Sequence, residues 1–265
     1  MNNDLDVIVK TYPPDQDVLR VYAIGDVHVG SPDYDEKSVR KKLQIIEEDP
    51  AGVLCVCGDL GNFGLRSGIS NVYHETMSPK AQIEHIYRLF DPIKDKIVAV
   101  VPGNHEERIT KEVGTCPLYD LCVRWGIQDI YRENVAILKL AFGTSHGKQQ
   151  NTFIGLVTHG ASRARHKKFI ACFDGIDFAV SGHTHTPEYS PHGKIRVNNL
   201  KASALHVPYK EIVVDANMVP GGYGLKKEYE ILPPPELQYL ELSTWRDSNY
   251  NRTLHRSMDY HAIQI

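Results

Sequence analysis

Short apolar runs recur along the first two thirds of the chain, and most of them end in glycine followed by polar residues. Their β-branched residues and the turn residues around them are typical of buried strands in a parallel sheet. Between them lie segments in which apolar residues recur every three or four positions, the spacing of a surface helix. The predicted strands are residues 18–24, 52–57, 97–101, 135–142, 153–158 and 176–180, and the predicted helices are residues 35–48, 79–90 and 117–125.

Toward the C-terminus the pattern shifts to strands, with further short ones predicted at 194–197, 205–214, 226–232 and 237–242. Residues 1–17 and 63–78 are expected to be irregular, because turn signals replace a regular apolar pattern there. The basic segment 161–168 is interpreted as a charged loop. We expect one domain over residues 1–243 and a C-terminal extension over residues 244–265 that packs on the domain or on a partner.

The composition narrows the class of protein. With 265 residues, 42% of them hydrophobic, the chain can bury one sizeable core. The formal net charge is -3, so any nucleic acid must be held by a local basic patch. The N-terminus lacks the apolar core of a signal peptide and no apolar run is long enough for a membrane span, which predicts a cytoplasmic protein with no membrane partner. The five cysteines are expected to be free thiols, with Cys55 and Cys57 buried in a strand.

Polar side chains that can bind a metal follow five of the predicted strands. They are Asp26 and His28, Asp59, Asn104 and His105, His159, and His183 and His185. Open α/β sheets bind their ligands at the carboxyl ends of strands. Each of these groups alone is ordinary surface polarity, but five such strand ends, each beside a glycine, together predict a metal site.

The residue types indicate which metals the site takes. Carboxylate, amide and imidazole donors without thiolate favour Mn, Fe, Zn or Ni over Ca, and they argue against a structural zinc site. Seven of these residues acting as ligands are too many for one ion that keeps an open coordination position. They fit two ions that share a bridging carboxylate, an arrangement that can hold a bridging hydroxide and clamp a phosphoryl group.

The series Gly25-Asp26-Val27-His28, Gly58-Asp59, Gly103-Asn104-His105-Glu106, His159-Gly160 and Gly182-His183-Thr184-His185 resembles the calcineurin-like metallophosphoesterases. The resemblance covers about residues 21–187, with all five blocks in the family's order. It implies an α/β fold, a four-layer αββα sandwich of two mixed β-sheets flanked by helices, with the site at the strand ends. Residues 73–108 further resemble phosphoesterases found in phage and prophage genomes, which would place the protein in the host cytoplasm.

The resemblance also implies how the ligands divide between two divalent metal ions, of which manganese is favoured over iron, zinc and nickel. Two sets of three residues would each hold one ion, with a carboxylate between them: Asp26, His28 and His185 on one side, Asn104, His159 and His183 on the other, and Asp59 as the bridge. In this family His105 is not a ligand. It acts as a general acid near the leaving-group oxygen or stabilises charge on the phosphate, because an imidazolium can give up a proton near neutral pH.

One departure from the family bears on the substrate. The protein Ser/Thr phosphatases of this family carry Asp-Arg-Gly shortly after the Gly-Asp block, whereas Gly58-Asp59 is followed here by Leu60-Gly61-Asn62-Phe63-Gly64. The arginine that would grip the phosphate is missing from that place, which favours the diesterase and nuclease branches. Asn62 either hydrogen-bonds near the metals or caps the next turn.

The leading hypothesis is a phosphodiesterase that acts on nucleic acid or a nucleotide through a metal-bridging hydroxide. Arg66, Arg163 and Arg165 are the candidate substrate-binding residues, because basic groups contact the phosphates that flank a scissile bond. The alternative interpretation of these residues is a solvated charged surface. The rival activity is a phosphomonoesterase acting on a small molecule or a nucleic-acid end. A non-catalytic metal-bound scaffold is disfavoured, since His105 and every ligand are present, and the oligomeric state is left open.

Overall fold

The computed structural model describes residues 5–66, 72–145, 149–198, 203–214, 235–246 and 254–265. The predicted strand at 226–232 lies outside these described residues. The strands, in chain order, are β1 (Ile8–Thr11), β2 (Val18–Ile24), β3 (Gly52–Val56), β4 (Ile97–Val100), β5 (Val135–Ser145), β6 (Gln149–Thr158), β7 (Phe178–Ser181), β8 (Glu188–Asn198), β9 (Ser203–Val213), β10 (Glu236–Arg246) and β11 (Leu254–Gln264). The helices are α1 (Glu36–Glu48), α2 (Pro79–Phe90), α3 (Asn104–Val113), α4 (Pro117–Trp125) and α5 (Arg163–Ile170), with 3-10 segments at Val72–His74, Asp91–Lys96 and Gln128–Ile130.

The strands form two sheets, and each sheet mixes parallel and antiparallel pairs. The five-stranded sheet has the order β11-β10-β2-β3-β4, in which β2, β3 and β4 are parallel. The six-stranded sheet has the order β1-β5-β6-β7-β9-β8, in which β6, β7 and β9 are parallel. Apolar residues of both sheets pack into one large core, to which α1, α2 and α4 contribute their buried faces, and a smaller apolar cluster lies between α5 and the six-stranded sheet. The fold is therefore the predicted four-layer αββα sandwich of two mixed sheets.

Local capping signals explain the helices beside the site. Asp35 accepts a hydrogen bond from the amide of Ser38 (3.0 Å) at the start of α1, and Ser78 accepts one from the amide of Ala81 (3.3 Å) at the start of α2. Helix α4 ends at Gly126, whose φ of 75° is left-handed and suits glycine. The predicted bounds of α2 and α4 are confirmed, and α1 differs by one residue.

Two segments expected to be irregular contain regular structure among their described residues, which corrects those predictions. Residues 1–17 contain β1, a four-residue edge strand that pairs in parallel with β5, far away in the sequence. The basic segment 161–168 is not a loop, because most of it lies in α5. This helix buries only His166 and Ile170, too few apolar residues to produce a helical pattern. Ile170 packs with Ala179 on the outer face of the six-stranded sheet.

The C-terminal strands complete the five-stranded sheet. β11 pairs with β10 along its whole length, from Leu254 opposite Arg246 to Gln264 opposite Glu236. β10 in turn pairs with β2, which places part of the predicted C-terminal extension in the same sheet as the first core strand. Among the described residues, no helix is both long and apolar enough to cross a bilayer.

The register of the parallel strands determines which residues meet. Val56 lies opposite both Ile24 and Val100 in the five-stranded sheet, and Val157 lies opposite Val180 in the six-stranded sheet. The carboxyl ends of these strands therefore share one edge, the position where open α/β sheets bind ligands.

Candidate metal centre

Hydrogen bonds between neighbouring turns hold the predicted site together at this edge. The amide of Asp26 donates to the carbonyl of Gly58 (3.0 Å), and the amide of His28 donates to the carbonyl of Asp59 (3.0 Å). The amide of His183 donates to Oδ2 of Asp26 (2.7 Å), which joins the turn after β7 to the turn after β2. The two sheets are thus connected through a candidate ligand.

Five predicted ligands have left-handed backbone conformations that non-glycine residues rarely adopt. The φ angles are 49° at Asp26, 52° at His28, 53° at Asp59, 74° at His183 and 58° at His185. Such conformations cost of order 1–3 kcal/mol each and concentrate at functional sites. Their concentration in one cluster indicates that the fold holds these side chains for a purpose other than stability.

One group of converging donors consists of Asp26, His28 and His185. Their ligand atoms all lie within 4.8 Å of one another. Nε2 of His28 is 3.1 Å from Nε2 of His185, and Oδ1 of Asp26 is 3.5 Å from Nε2 of His185. Three donor atoms this close have the spacing of ligands around a single ion.

The second group consists of Asn104, His159 and His183. Oδ1 of Asn104 is 3.0 Å from Nε2 of His159 and 3.0 Å from Nδ1 of His183, and the two imidazole nitrogens are 3.2 Å apart. Nδ1 of His159 donates to the carbonyl of Cys57 (2.7 Å), which leaves Nε2 to face the other two donors. A backbone acceptor behind the imidazole is the usual way to orient a histidine ligand.

Asp59 lies between the two groups. Its Oδ2 is 3.3 Å from Nε2 of His159 in the second group. Its carboxylate also lies within 4.8 Å of donor atoms of Asp26 and His28 in the first group. Asp59 is therefore the carboxylate placed to contact both positions.

Two observations test whether a cation fits this pocket. The carboxylates of Asp26 and Asp59 are buried, which is costly unless positive charge compensates them. Oδ1 of Asp26 is buried and accepts no hydrogen bond from any described residue, although it lies beside His185. Buried carboxylates, one with an unused oxygen, surrounded by imidazoles fit divalent cations.

The histidines differ in how readily they hold a proton. Burial, and after it the charge of His105, lowers the pKa of His28 to about 3. Burial also acts to lower the pKa of His159, but the Asp59 carboxylate outweighs it and raises that pKa to about 10. In the metal-free protein His159 therefore holds a proton that a metal must displace, so metal binding releases protons.

His105 lies beside the first group, with a ring nitrogen within 4.8 Å of donor atoms of His28 and Asp59. Its Nδ1 donates to the carbonyl of Asn62 (2.6 Å), so its Nε2 points toward the centre, 3.8 Å from Oδ2 of Asp59. A guanidinium nitrogen of Arg108 donates to the same Nε2 at 3.0 Å. Asn62 thus contributes its carbonyl to His105, while its side-chain amide donates to Glu75 (2.6 Å).

Glu106 has a structural role at the site that the sequence reasoning did not assign. Its carboxylate accepts hydrogen bonds from the amides of Gly103 (2.9 Å), Asp59 (2.8 Å), Leu60 (2.9 Å) and Gly61 (3.3 Å). Burial and then the charge of Asp59 raise the pKa of Glu106 to about 7, and the amide donors act in the opposite direction. A glutamate three residues after Gly103, at the start of a helix, is a capping-box signal that could have revealed this contact.

The predicted substrate-binding arginines lie outside this cluster of ligands. Arg66 is exposed. Arg163 and Arg165 are exposed at the start of α5, and Nε of Arg163 is 3.4 Å from Oε2 of Glu188. Arg163 lines a cleft that also includes Gly182 and Thr184, the neighbours of His183. Arg163 therefore shares a cleft with the neighbours of His183, and the roles of all three arginines stay predictions.

His166 and Glu211 line the same cleft and belong to a polar cluster. Glu211 is buried, with Oε1 3.2 Å from Nε2 of His166 and Oε2 3.0 Å from Nε2 of His192. Burial acts to raise the pKa of Glu211, but the hydrogen bond and charge of His166, and then those of His192, lower it below its usual value.

Comparison with known proteins assigns the chain to a family. Residues 19–187 match the model of the family described as calcineurin-like phosphoesterase. This match covers more than half of the chain, and the chain belongs to the calcineurin-like phosphoesterase family. The family and the histidine–aspartate cluster together indicate a metal-dependent phosphoester hydrolase that binds divalent metal. No curated protein matches the sequence.

Solved structures with a similar arrangement share little sequence with the chain. Vps29 from Chaetomium thermophilum has a TM-score of 0.37 and 9% identity, with 93% of this chain and 97% of that chain covered. A hypothetical protein from Thermus thermophilus has a TM-score of 0.30 and 10% identity, with 92% of this chain and 99% of that chain covered. Likeness at this level carries no statement about function.

Proposed function

We propose that the chain is a dinuclear metal-dependent phosphodiesterase that acts on nucleic acid or nucleotide phosphodiesters. One observation carries the proposal: two groups of three donors share the carboxylate of Asp59, with His105 beside them. An arrangement of this kind suits two ions about 3.5–4 Å apart that act on one phosphate.

The donor distances support the division of ligands given by the family resemblance. One ion would bind Asp26, His28 and His185, the other would bind Asn104, His159 and His183, and Asp59 would bridge them. Carboxylate, amide and imidazole donors without thiolate suit manganese, iron, zinc or nickel, of which we propose manganese. When bound, such ions lower the pKa of a coordinated water and neutralise charge on the phosphate oxygens.

His105 is the residue of this chain that would move a proton. Because Nδ1 donates to the carbonyl of Asn62, Nε2 is the atom that faces the substrate. In its protonated form, Nε2 would donate to the leaving-group oxygen as the ester bond breaks. Burial lowers the pKa of His105 below its usual value, against the opposing effects of the Asp59 carboxylate and the carbonyl of Asn62, which favour the protonated imidazole.

The surroundings of the site support a diester rather than a phosphoprotein substrate. The turn after Asp59 contains Leu60, which is buried, where protein phosphatases of the family carry a short motif with arginine. Arg163, Arg165 and Arg66 are proposed to contact phosphates beyond the scissile one. The resemblance of residues 73–108 supports placement in the phage and prophage branch and hence in the host cytoplasm.

The test is to compare two substrates with metal-stripped protein resupplied with Mn²⁺. Hydrolysis of bis-p-nitrophenyl phosphate well above that of p-nitrophenyl phosphate is the expected result. A preference for the monoester would replace the proposal with a phosphomonoesterase. Absence of turnover with two metals bound would favour a non-catalytic scaffold.

Two variants test the residue roles in the same assay. His105→Ala should lower turnover by about 10²- to 10⁴-fold without changing metal stoichiometry. Asp59→Asn should weaken the binding of both metal ions. His261→Ala is the matched control, because His261 is exposed on the edge strand β11 and belongs to neither donor group. Full activity of His105→Ala, or two metals retained by Asp59→Asn, would contradict these roles.

A further inference from the structure

We propose that Arg108 binds the non-bridging oxygens of the scissile phosphate and supplies the guanidinium that is missing after Gly58-Asp59. This inference rests on the proposed function. It assigns a substrate-binding role to a residue in α3 that neither the motif blocks nor the family match identifies.

The helix geometry places Arg108 at the site. Arg108 is three residues after His105 and four after Asn104, so all three lie on one face of α3. Its Nη2 is 3.0 Å from Nε2 of His105, and that nitrogen is 3.8 Å from Oδ2 of Asp59. The guanidinium of Arg108 therefore contacts the imidazole of His105, which lies beside the Asp59 carboxylate shared by the two donor groups.

The contact between Arg108 and His105 is one that a phosphate can replace. A neutral imidazole offers the guanidinium a single acceptor atom. A phosphate offers several charged oxygens, and arginine binds such groups through two parallel hydrogen bonds between ions of opposite charge. A substrate phosphate is therefore the stronger partner for Arg108. Its arrival would free Nε2 of His105 to face the leaving-group oxygen.

One acidic group that interacts with the charge of Arg108 is already engaged in hydrogen bonds. The charge of Arg108 acts on Glu75, whose Oε1 accepts from Asn62 (2.6 Å) and whose Oε2 accepts from Gln82 (2.7 Å). Glu75 therefore attracts the guanidinium while its own hydrogen bonds hold Asn62, the residue whose carbonyl orients His105. The charge of Glu75 therefore helps to keep the guanidinium of Arg108 beside His105.

The first test measures binding, so that it does not depend on turnover. Inorganic phosphate is titrated calorimetrically into Mn²⁺-loaded wild type, Arg108→Gln, Arg108→Lys and Arg40→Gln. Arg40 is the matched control, because it is an exposed arginine paired with Glu36 on α1. We expect Arg108→Gln to weaken phosphate binding by about 10- to 100-fold, the range for a hydrogen bond to a charged group. Arg108→Lys should recover part of the loss, and Arg40→Gln should match wild type.

The second test uses the diester. Arg108→Gln should lower kcat/KM for bis-p-nitrophenyl phosphate by the same factor, with metal stoichiometry and Tm unchanged, and added guanidinium ion should partly restore Arg108→Ala. If wild type binds phosphate but hydrolyses neither ester, the proposed activity fails while the phosphate titration still decides the role of Arg108. Phosphate affinity of Arg108→Gln within twofold of wild type, or no phosphate binding by wild type, would overturn the inference.

Discussion

Gly58→Ala is expected to disrupt the closest approach between two of the turns that form the metal centre. Gly58 precedes Asp59 and has a φ of 84°, in the left-handed region. A Cβ added there would lie 2.2 Å from the amide nitrogen of Gly103, 2.5 Å from the carbonyl carbon of Pro102 and 2.7 Å from Cα of Gly103. All three neighbours are backbone atoms, so no flexible side chain can move aside.

The loss of stability in Gly58→Ala has two causes, the left-handed backbone and the steric contact of the added Cβ. The left-handed backbone costs a residue with Cβ roughly 1–2 kcal/mol. The contact adds more, because 2.2 Å falls 1.2 Å short of the 3.4 Å at which ordinary van der Waals contact begins. Overpacking of a tight site typically costs about 1–3 kcal/mol, so the expected loss is about 2–5 kcal/mol of the free energy of unfolding. That is a large share of a total of about 5–15 kcal/mol.

Gly126→Ala is the matched control. Gly126 has a φ of 75°, and a Cβ there would meet nothing within 4 Å, so only the backbone cost applies. Urea unfolding of the metal-free variants gives the two losses, and calorimetric titration with Mn²⁺ shows whether the turns still present both donor groups. We expect Gly58→Ala to be less stable than Gly126→Ala and to bind Mn²⁺ more weakly. Equal stability and equal Mn²⁺ affinity would refute the argument that this approach shapes the site.

Three further predictions concern the metals and two polar clusters. Mn²⁺ at about 100 times its Kd should stabilise the chelator-treated protein by about 2.7 kcal/mol, which thermal melting would show as a rise of about 5–10 °C in Tm. Ca²⁺ should raise the Tm less, because imidazole donors disfavour Ca²⁺. Because folding lowers the pKa of Glu211, its carboxylate stabilises the folded state above the unfolded pKa of about 4.3, and this stabilisation is lost as pH falls through the folded pKa. In urea unfolding, Glu211→Gln should therefore cost about 1–3 kcal/mol at about pH 7 and less below about pH 4. An equal loss at both pH values would contradict this. Gln82→Ala should cost about 1–3 kcal/mol in the same assay, because the buried side chain accepts from the amide of Phe63 (2.9 Å); a loss below about 0.5 kcal/mol, which is typical of a surface substitution, would count against it.

Much of the fold followed from sequence because its signals are local. The strand Val18–Ile24 and the helices Pro79–Phe90 and Pro117–Trp125 have the predicted bounds, since apolar periodicity, Pro79 and Gly126 all mark the same limits. The convergence of candidate ligands also followed, because parallel strands place their carboxyl ends at one edge. A prediction of that kind needs only strand order and direction, not the positions of side chains.

The features that were missed depend on distant or weak signals. β1 pairs with β5, a strand that begins more than a hundred residues later, which no local pattern reveals. Helix α5 buries only two side chains, so its charged sequence lacks an apolar helical pattern and is interpreted as a loop from the sequence alone. Helix α3 begins at Asn104 itself, and the only residue that it buries is Glu106, which accepts backbone amides from the turn after β3. The helix that carries His105 is therefore fixed by a polar contact rather than by an apolar face.

These polar contacts also determine which oxygen of Asp59 is available. Oδ1 accepts from the amide of His105 at 2.8 Å, while Oδ2 faces His159 at 3.3 Å and His105 Nε2 at 3.8 Å. The amide of Asp59 is held in turn by Glu106 at 2.8 Å, so both the backbone and the carboxylate of Asp59 are fixed before any cation binds. On the proposed assignment Asp59 would be the bridging residue, and Oδ2 is its oxygen that faces the imidazoles. The hydrogen bond at Oδ1 couples the position of this bridge to the start of the helix that positions His105, so a change that displaces one of them should displace the other.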